Sequence, residues 1–105
     1  MTWKIDENGN RLTVEMDGRF VAAVAPAARE EIIGRIKDGM EVVFDLSKMS
    51  HIDSSGIGAL VQILQKAKAH GGSVTLAALQ QGPRLVFEIT KVNRVFRIVD
   101  SVEEA

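Results

Sequence analysis

Residue types able to do chemistry crowd into one stretch of this sequence, Ser50-His51-Ile52-Asp53-Ser54-Ser55-Gly56-Ile57-Gly58. Three chemistries are open to such a run. The plainest is helix capping. An Asp or Ser side chain accepts a hydrogen bond from the free N–H groups of a first helical turn, and glycines let that turn pack closely. Asp53 or Ser54 would serve. The second is acceptance of a phosphoryl group on a hydroxyl. Phosphate adds roughly −1.5 to −2 charges at neutral pH. A helix N-terminus tolerates that charge, while the neighbouring carboxylate of Asp53 opposes it. Modification there would change a surface without destroying a fold. The third is hydrolysis, because His51, Asp53 and Ser54 are the residue types of a catalytic triad. A triad needs groups converging from separate places, with its base bonded to both neighbours. Neighbours along one extended turn do not converge in that way, and the Gly-x-Ser-x-Gly elbow is absent.

Outside this stretch the chemistry thins. Gly56-Ile57-Gly58 lacks the third glycine of a dinucleotide fingerprint, and no Gly-Lys-Ser/Thr follows a glycine-rich loop. His51 and His70 are the only histidines and neither has a Glu partner at helical spacing. With no cysteine in the chain, zinc–thiolate sites, disulfides and thiol catalysis are excluded. No metal, cofactor or catalytic residue is therefore expected. His70 reads as a residue of a helix C-terminus, where a cation is favoured. Arg84, Lys91, Arg94 and Arg97 make the last third locally basic and read as a solvated face. The thirteen basic and fourteen acidic residues leave a net charge of −1, which argues against direct nucleic-acid binding.

The elements that hold the polar stretch follow from hydrophobic periodicity. A chain of 105 residues, 46% apolar and 26% charged, is expected to form one domain over residues 1–105. No apolar run reaches the roughly 18 residues of a membrane span. The opening Met-Thr-Trp-Lys-Ile-Asp lacks the apolar core of a signal peptide, so a cytoplasmic protein is expected. Trp3–Asp6 and Arg11–Asp17 read as a hairpin joined through Asn8-Gly9, with Leu12, Val14 and Met16 inward and Gly18 ending the second strand. Pro26 opens a helix whose Ala28, Ile32, Ile33 and Ile36 share a face, and Gly39 follows it. Glu41–Leu46 reads as a central strand, Ser47–Ile52 as a connection, and Ser55–His70 as a second helix. Ile57, Leu60, Val61, Leu64 and Ala67 form the apolar stripe of that helix. A strand over Ser73–Ala78 precedes a third helix from Gly82-Pro83, with Leu85, Val86, Ile89 and Val92 toward the core. Val95–Val99 completes the strands, and Ser101 is placed to cap a terminal helix. The order β-β-α-β-α-β-α-β calls for an α/β fold with a mixed, mainly parallel sheet.

Val42-Val43-Phe44-Asp45-Leu46-Ser47, followed by Ile52-Asp53-Ser54-Ser55-Gly56-Ile57-Gly58, resembles the signature of the STAS domain. That domain is shared by sulfate transporters and bacterial anti-sigma factor antagonists. The resemblance continues through Gly71-Gly72, Val86–Thr90 and Val95–Val99. It implies the α/β architecture just derived. Without transporter helices, the chain is similar to the stand-alone antagonists. In these, the unphosphorylated protein binds an anti-sigma factor that is also a serine kinase, which frees a sigma factor. The kinase supplies ATP and Mg²⁺, phosphorylates the hydroxyl after the motif's Asp, and a phosphatase restores the active form. The resemblance thus makes Ser54 the phosphorylation site and places partner binding at Asp53, Ser54, Ser55, Gly56 and Ile57. It implies no catalytic residue, and a monomer is favoured. Family members often carry an acidic residue near this site, in a Gly-x-aliphatic-Asp pattern. Here Gly18-Arg19-Phe20-Val21 puts Val21 at the acidic position. Another STAS role, as an adaptor in a signalling scaffold or lipid-transport complex without regulated phosphorylation, is the alternative. The apolar run Phe20–Ala25 reads as buried, with a hydrophobic partner groove as the other reading.

Overall fold

Alternating apolar side chains and a glycine turn start the fold as a hairpin. The computed structural model describes residues 1–105. Strand β1 (Thr2–Asn8) pairs antiparallel with β2 (Arg11–Phe20). Asn8 lies opposite Arg11, so the loop is the pair Gly9-Asn10. Of these two only Gly9 takes a positive φ, +62°, as the first residue of a two-residue hairpin loop can when it is glycine. Helix α1 (Ala25–Arg35), β3 (Glu41–Ile52), α2 (Ser54–Ala69), β4 (Ser73–Ala77), α3 (Gln81–Ile89) and β5 (Arg97–Val99) follow. The strands lie in sequence order, β1-β2-β3-β4-β5, and every pairing after the hairpin is parallel. The mixed, mainly parallel α/β sheet expected from the sequence is present.

Sequential strand order with right-handed crossovers puts all three helices on one face of the sheet. The burial pattern agrees. The cross-strand rows Leu12–Val42–Val74 and Val14–Phe44–Leu76 join Ala28, Ile32, Leu60, Ile63 and Phe87 in one continuous core. The opposite face carries the alternate rows, Thr13–Val43–Thr75–Arg97 and Glu15–Asp45–Ala77–Val99. Part of that second face is roofed by the end of the chain. A 3₁₀ turn at Val102–Glu104 folds back, with Arg11 donating to the Ala105 carbonyl at 3.1 Å and Arg97 to the Glu104 carbonyl at 3.0 Å. Arg97 also donates to Thr75 Oγ1 at 3.2 Å, so the one buried polar side chain is satisfied.

Several boundaries differ from the sequence reading, each for a physical reason. Ser47–Ile52 is not a connection but the second half of β3. Glu15 and Asp17 of β2 face Asp45 and Lys48, and Gly18 and Arg19 face Met49 and His51. At each step β3 carries one extra residue, a bulge that breaks the period of two. Burial therefore moves from Val42, Phe44 and Leu46 to Met49 and then Ile52. Gly18 does not end β2. It stays within the strand at φ +103°, a conformation open to glycine, and β2 continues to Phe20. Ile36 is buried from the extended residue that follows α1. Helix α2 begins one residue earlier than expected, and Ile63 joins its buried stripe. Ala78 leaves β4 in a left-handed conformation, φ 61°. In α3 the core face is Pro83 and Phe87, while Leu85 and Ile89 are 55% and 71% exposed. Both pairs have i, i+4 spacing, so periodicity alone did not separate them. The larger aromatic surface of Phe87 took the inside, edge-on to Phe96 at 6.1 Å. Val95 is exposed, and the last strand is only Arg97–Val99. Ser101 precedes the terminal turn without a side-chain capping bond. In the Phe20–Ala25 run, Phe20 and Ala25 are buried, while Ala22 and Ala23 are exposed at the tip.

Candidate functional site

The bulged half of β3 delivers the polar stretch directly to a helix start. Strand β3 ends at Ile52, α2 begins at Ser54, and Asp53 alone lies between them in an extended conformation. It is the N-cap. Asp53 Oδ1 accepts a hydrogen bond from Gly56 N–H at 3.0 Å. Its other oxygen, Oδ2, accepts from Ala22 N–H at 3.1 Å. One carboxylate therefore clasps the first turn of α2 to the segment leaving β2. These backbone bonds hold the Asp53 carboxyl below the usual carboxylate range, Gly56 contributing most, with partial burial opposing. Of the two capping candidates in the sequence, Asp53 holds the post.

Gly56 completes the junction. A Cβ at this position would strike the carbonyl oxygen of Phe20 and lie 2.8 Å from Ile52 Cγ1. The first turn of α2 therefore rests directly on the end of β2. Ile57 is buried and seats the same turn. Ser54 and Ser55 are exposed as the first two helical residues. The five residues singled out for partner binding thus divide by position. Ser54 and Ser55 face outward, Asp53 is half-buried, and Gly56 and Ile57 lie beneath.

Val21, at the acidic position of the Gly-x-aliphatic-Asp pattern, belongs to the turn between β2 and α1. Its carbonyl accepts from Val24 and Ala25 N–H groups at 2.9 and 3.0 Å. The next residue, Ala22, supplies the N–H held by Asp53. The hydrolytic constellation does not assemble. His51 Nδ1 lies 3.0 Å from Ser50 Oγ, and Asp53 is bonded to backbone rather than to imidazole. No three His, Asp or Glu side chains come together as a metal site. No helix is long and apolar enough to cross a membrane. His70 is the C-terminal cap residue of α2, and its Nδ1 lies 2.7 Å from Asp38 Oδ1. The bond between Asp53 and Ala22 is a feature that sequence reasoning missed. The partners are 31 positions apart, and nothing local to either announces the contact.

The clasp predicts a pH-dependent stability difference. The folded pKa of Asp53 lies below that of the unfolded chain, so its contribution is present above the unfolded value of about 3.9 and is lost as pH falls through the folded value. Asp53→Asn keeps one carbonyl acceptor for two N–H donors and should cost about 1–2 kcal/mol at pH 7. Thermal unfolding of both proteins at neutral and acidic pH should show the gap closing toward low pH. A gap independent of pH would remove the carboxylate from the account.

Comparison with known proteins agrees with this fold. The family model described as STAS domain matches residues 2–105. The anti-sigma-B factor antagonist of Bacillus subtilis (strain 168) is 28% identical over 94 residues, which span 90% of this chain and 86% of that protein. The crystal structure of an anti-sigma factor antagonist from Mycobacterium paratuberculosis superposes with a TM-score of 0.85 at 20% identity, covering 98% of this chain and 88% of that one. The Bacillus cell fate determinant SpoIIAA in its phosphorylated form gives 0.74 at 17% identity, over 98% of this chain and 95% of its own. The two structural likenesses concern the fold. The match along nearly all of the sequence, together with a helix start built on Asp53-Ser54-Ser55-Gly56, shows that the chain belongs to the STAS domain family.

Proposed function

We propose that this protein is an anti-sigma factor antagonist whose docking surface is the start of α2 and whose switch is phosphorylation of Ser54. The observation that carries the reading is the exposure of Ser54 at the first residue of α2, immediately after the Asp53 clasp. A phosphoryl group there would meet favourable N–H dipoles from the helix and an unfavourable carboxylate from Asp53. The fold beneath would stay intact, because Gly56 and Ile57 carry the packing. The names of the relatives support the reading, and SpoIIAA is a case of this fold carrying phosphate. In this reading an anti-sigma factor serine kinase in the cytoplasm supplies ATP and Mg²⁺. It binds the unmodified surface and rejects it once a dianion must be desolvated there, and a serine phosphatase reverses the change.

The test is capture of partners from source-cell extract, followed by phosphosite mapping with and without ATP and Mg²⁺. Phosphate should appear on Ser54, with binding weakened by at least about tenfold. Ser54→Ala should remain bound in the presence of ATP. Phosphate on Ser54→Ala at the parental level would remove this residue from the switch. The reading as an adaptor without regulated phosphorylation is favoured by one observation, Val21 in place of an acid. It predicts an unmodified Ser54 and a captured partner without kinase activity.

A further inference from the structure

Residues at the start of α1 and in the first turns of α2 line a shallow groove of about 270 Å³. Its floor and walls are mostly small, with Ala22, Ala25, Gly58 and Ala59 among them, and Ser55 lies on its rim. One charged side chain lines it, Arg29 of α1. Arg29 is half-buried. The ion pairs within the chain are Arg11–Glu41, Arg35–Glu7 and Lys37–Glu7, and none includes Arg29. A half-buried arginine with no carboxylate partner, lining a groove whose small side chains leave room for an incoming group, is complementary to an anionic side chain.

We propose that this groove receives an Asp or Glu side chain of the protein partner, with Arg29 as the group that recognises it. The inference rests on the partner-docking reading given above and names the chemistry of the contact. It also supplies a direct route for the switch. Ser54 adjoins Ser55 on the groove's rim, so a phosphoryl group there places a dianion beside the point where the partner's carboxylate enters. The incoming carboxylate is then repelled, and Arg29 gains a competing anion within its own chain. Arg29 is a specificity contact in this scheme and has no part in phosphoryl transfer.

The test uses the isotopically labelled full chain and two blocked peptides, acetyl-Ala-Leu-Glu-Ala-Leu-Ala-amide and the same peptide with Gln for Glu. Amide shifts should be confined to residues around the groove, among them Ala25, Arg29, Ser55 and Ala59, and should appear with the Glu peptide. The Gln peptide should bind at least about tenfold more weakly, the loss expected when a charge-assisted pair is replaced by a neutral one. Arg29→Ala should abolish the difference between the peptides, with the rest of its amide spectrum unchanged as evidence of folding, and Arg29→Lys should restore part of it. Equal binding of the two peptides, no shifts at the groove, or a Glu preference that survives Arg29→Ala would overturn the proposal. These outcomes concern Arg29 alone, whereas the Ser54 phosphosite experiment decides the partner-switching reading. A chain that accepts phosphate on Ser54 in that experiment, yet binds the two peptides equally while unphosphorylated, would separate the two.

Discussion

Phe20→Ala should destabilise the protein by about 3–5 kcal/mol, the largest loss expected from a single side chain near the site. Phe20 is completely buried at the end of β2, and its Cδ2 atom would lie only 3.0 Å from a Cβ at Gly56. Truncation removes buried apolar surface and leaves a cavity under the first turn of α2, where the neighbouring backbone can collapse only partly. A domain of this size has roughly 5–15 kcal/mol of stability in total, so the variant would be marginal. Denaturant unfolding should show a midpoint shifted strongly downward with little change in slope. Hydrogen exchange adds a readout specific to the site. The Ala22 amide, held by Asp53, should lose protection beyond the global effect as the end of β2 loosens. An unfolding free energy within about 1 kcal/mol of the parent's would show that Phe20 does not support the α2 start.

Gly56→Ala should cost about 2–3 kcal/mol although it adds only one methyl group. Alanine is the better helix former by about 1 kcal/mol, so propensity alone predicts stabilisation. Sterics decide the sign. The added carbon meets the Phe20 carbonyl oxygen, a backbone atom held in the sheet, and α2 can accommodate it only by moving off β2. Gly58→Ala supplies the contrast two residues along the same helix. A Cβ at Gly58 meets nothing within 4 Å, and its substitution should stabilise by about 0.5–1 kcal/mol. For a domain of this length each kcal/mol moves the melting temperature by about 4–8 °C, so calorimetry should separate the two variants clearly in opposite directions. A rise in melting temperature for Gly56→Ala would contradict the close approach of α2 to β2.

Both effects turn on how the fold brings remote segments together, and this separates what was legible in the sequence from what was not. The alternation Leu12, Val14, Met16 and the unbroken run Val42–Leu46 mark an antiparallel entry and a covered parallel centre, because side-chain period follows directly from burial on one face or two. Pro26 marked the first turn of α1, and the structure has it there. The stretch from Asp53 to Gly58 was legible as a helix start, since an Asp followed by serines and glycine meets the needs of free N–H groups. The second half of β3 was not legible. Its two bulges shift the inward face, and a pattern that changes phase twice within a few residues resembles a loop. The inward face of α3 was legible only in part: Val86 and Val92 pack against the core as expected, whereas Leu85/Ile89 and Pro83/Phe87 share one spacing. Only packing against the sheet and Phe96 distinguishes them.

The sequence by itself determined the class of fold, the order of its elements, and the place where polar chemistry gathers, because these depend on local periodicity and capping preference. The tertiary structure decided what that gathering does. It made Asp53 a clasp between residues far apart in the chain, put Gly56 against the backbone of Phe20, and left Ser54 and Ser55 outside. It also set Arg29 in a groove without a partner carboxylate. Hydrogen bonds, steric exclusion and ion pairing between distant segments depend on distances of a few ångströms, and those distances exist only once the sheet and helices have packed.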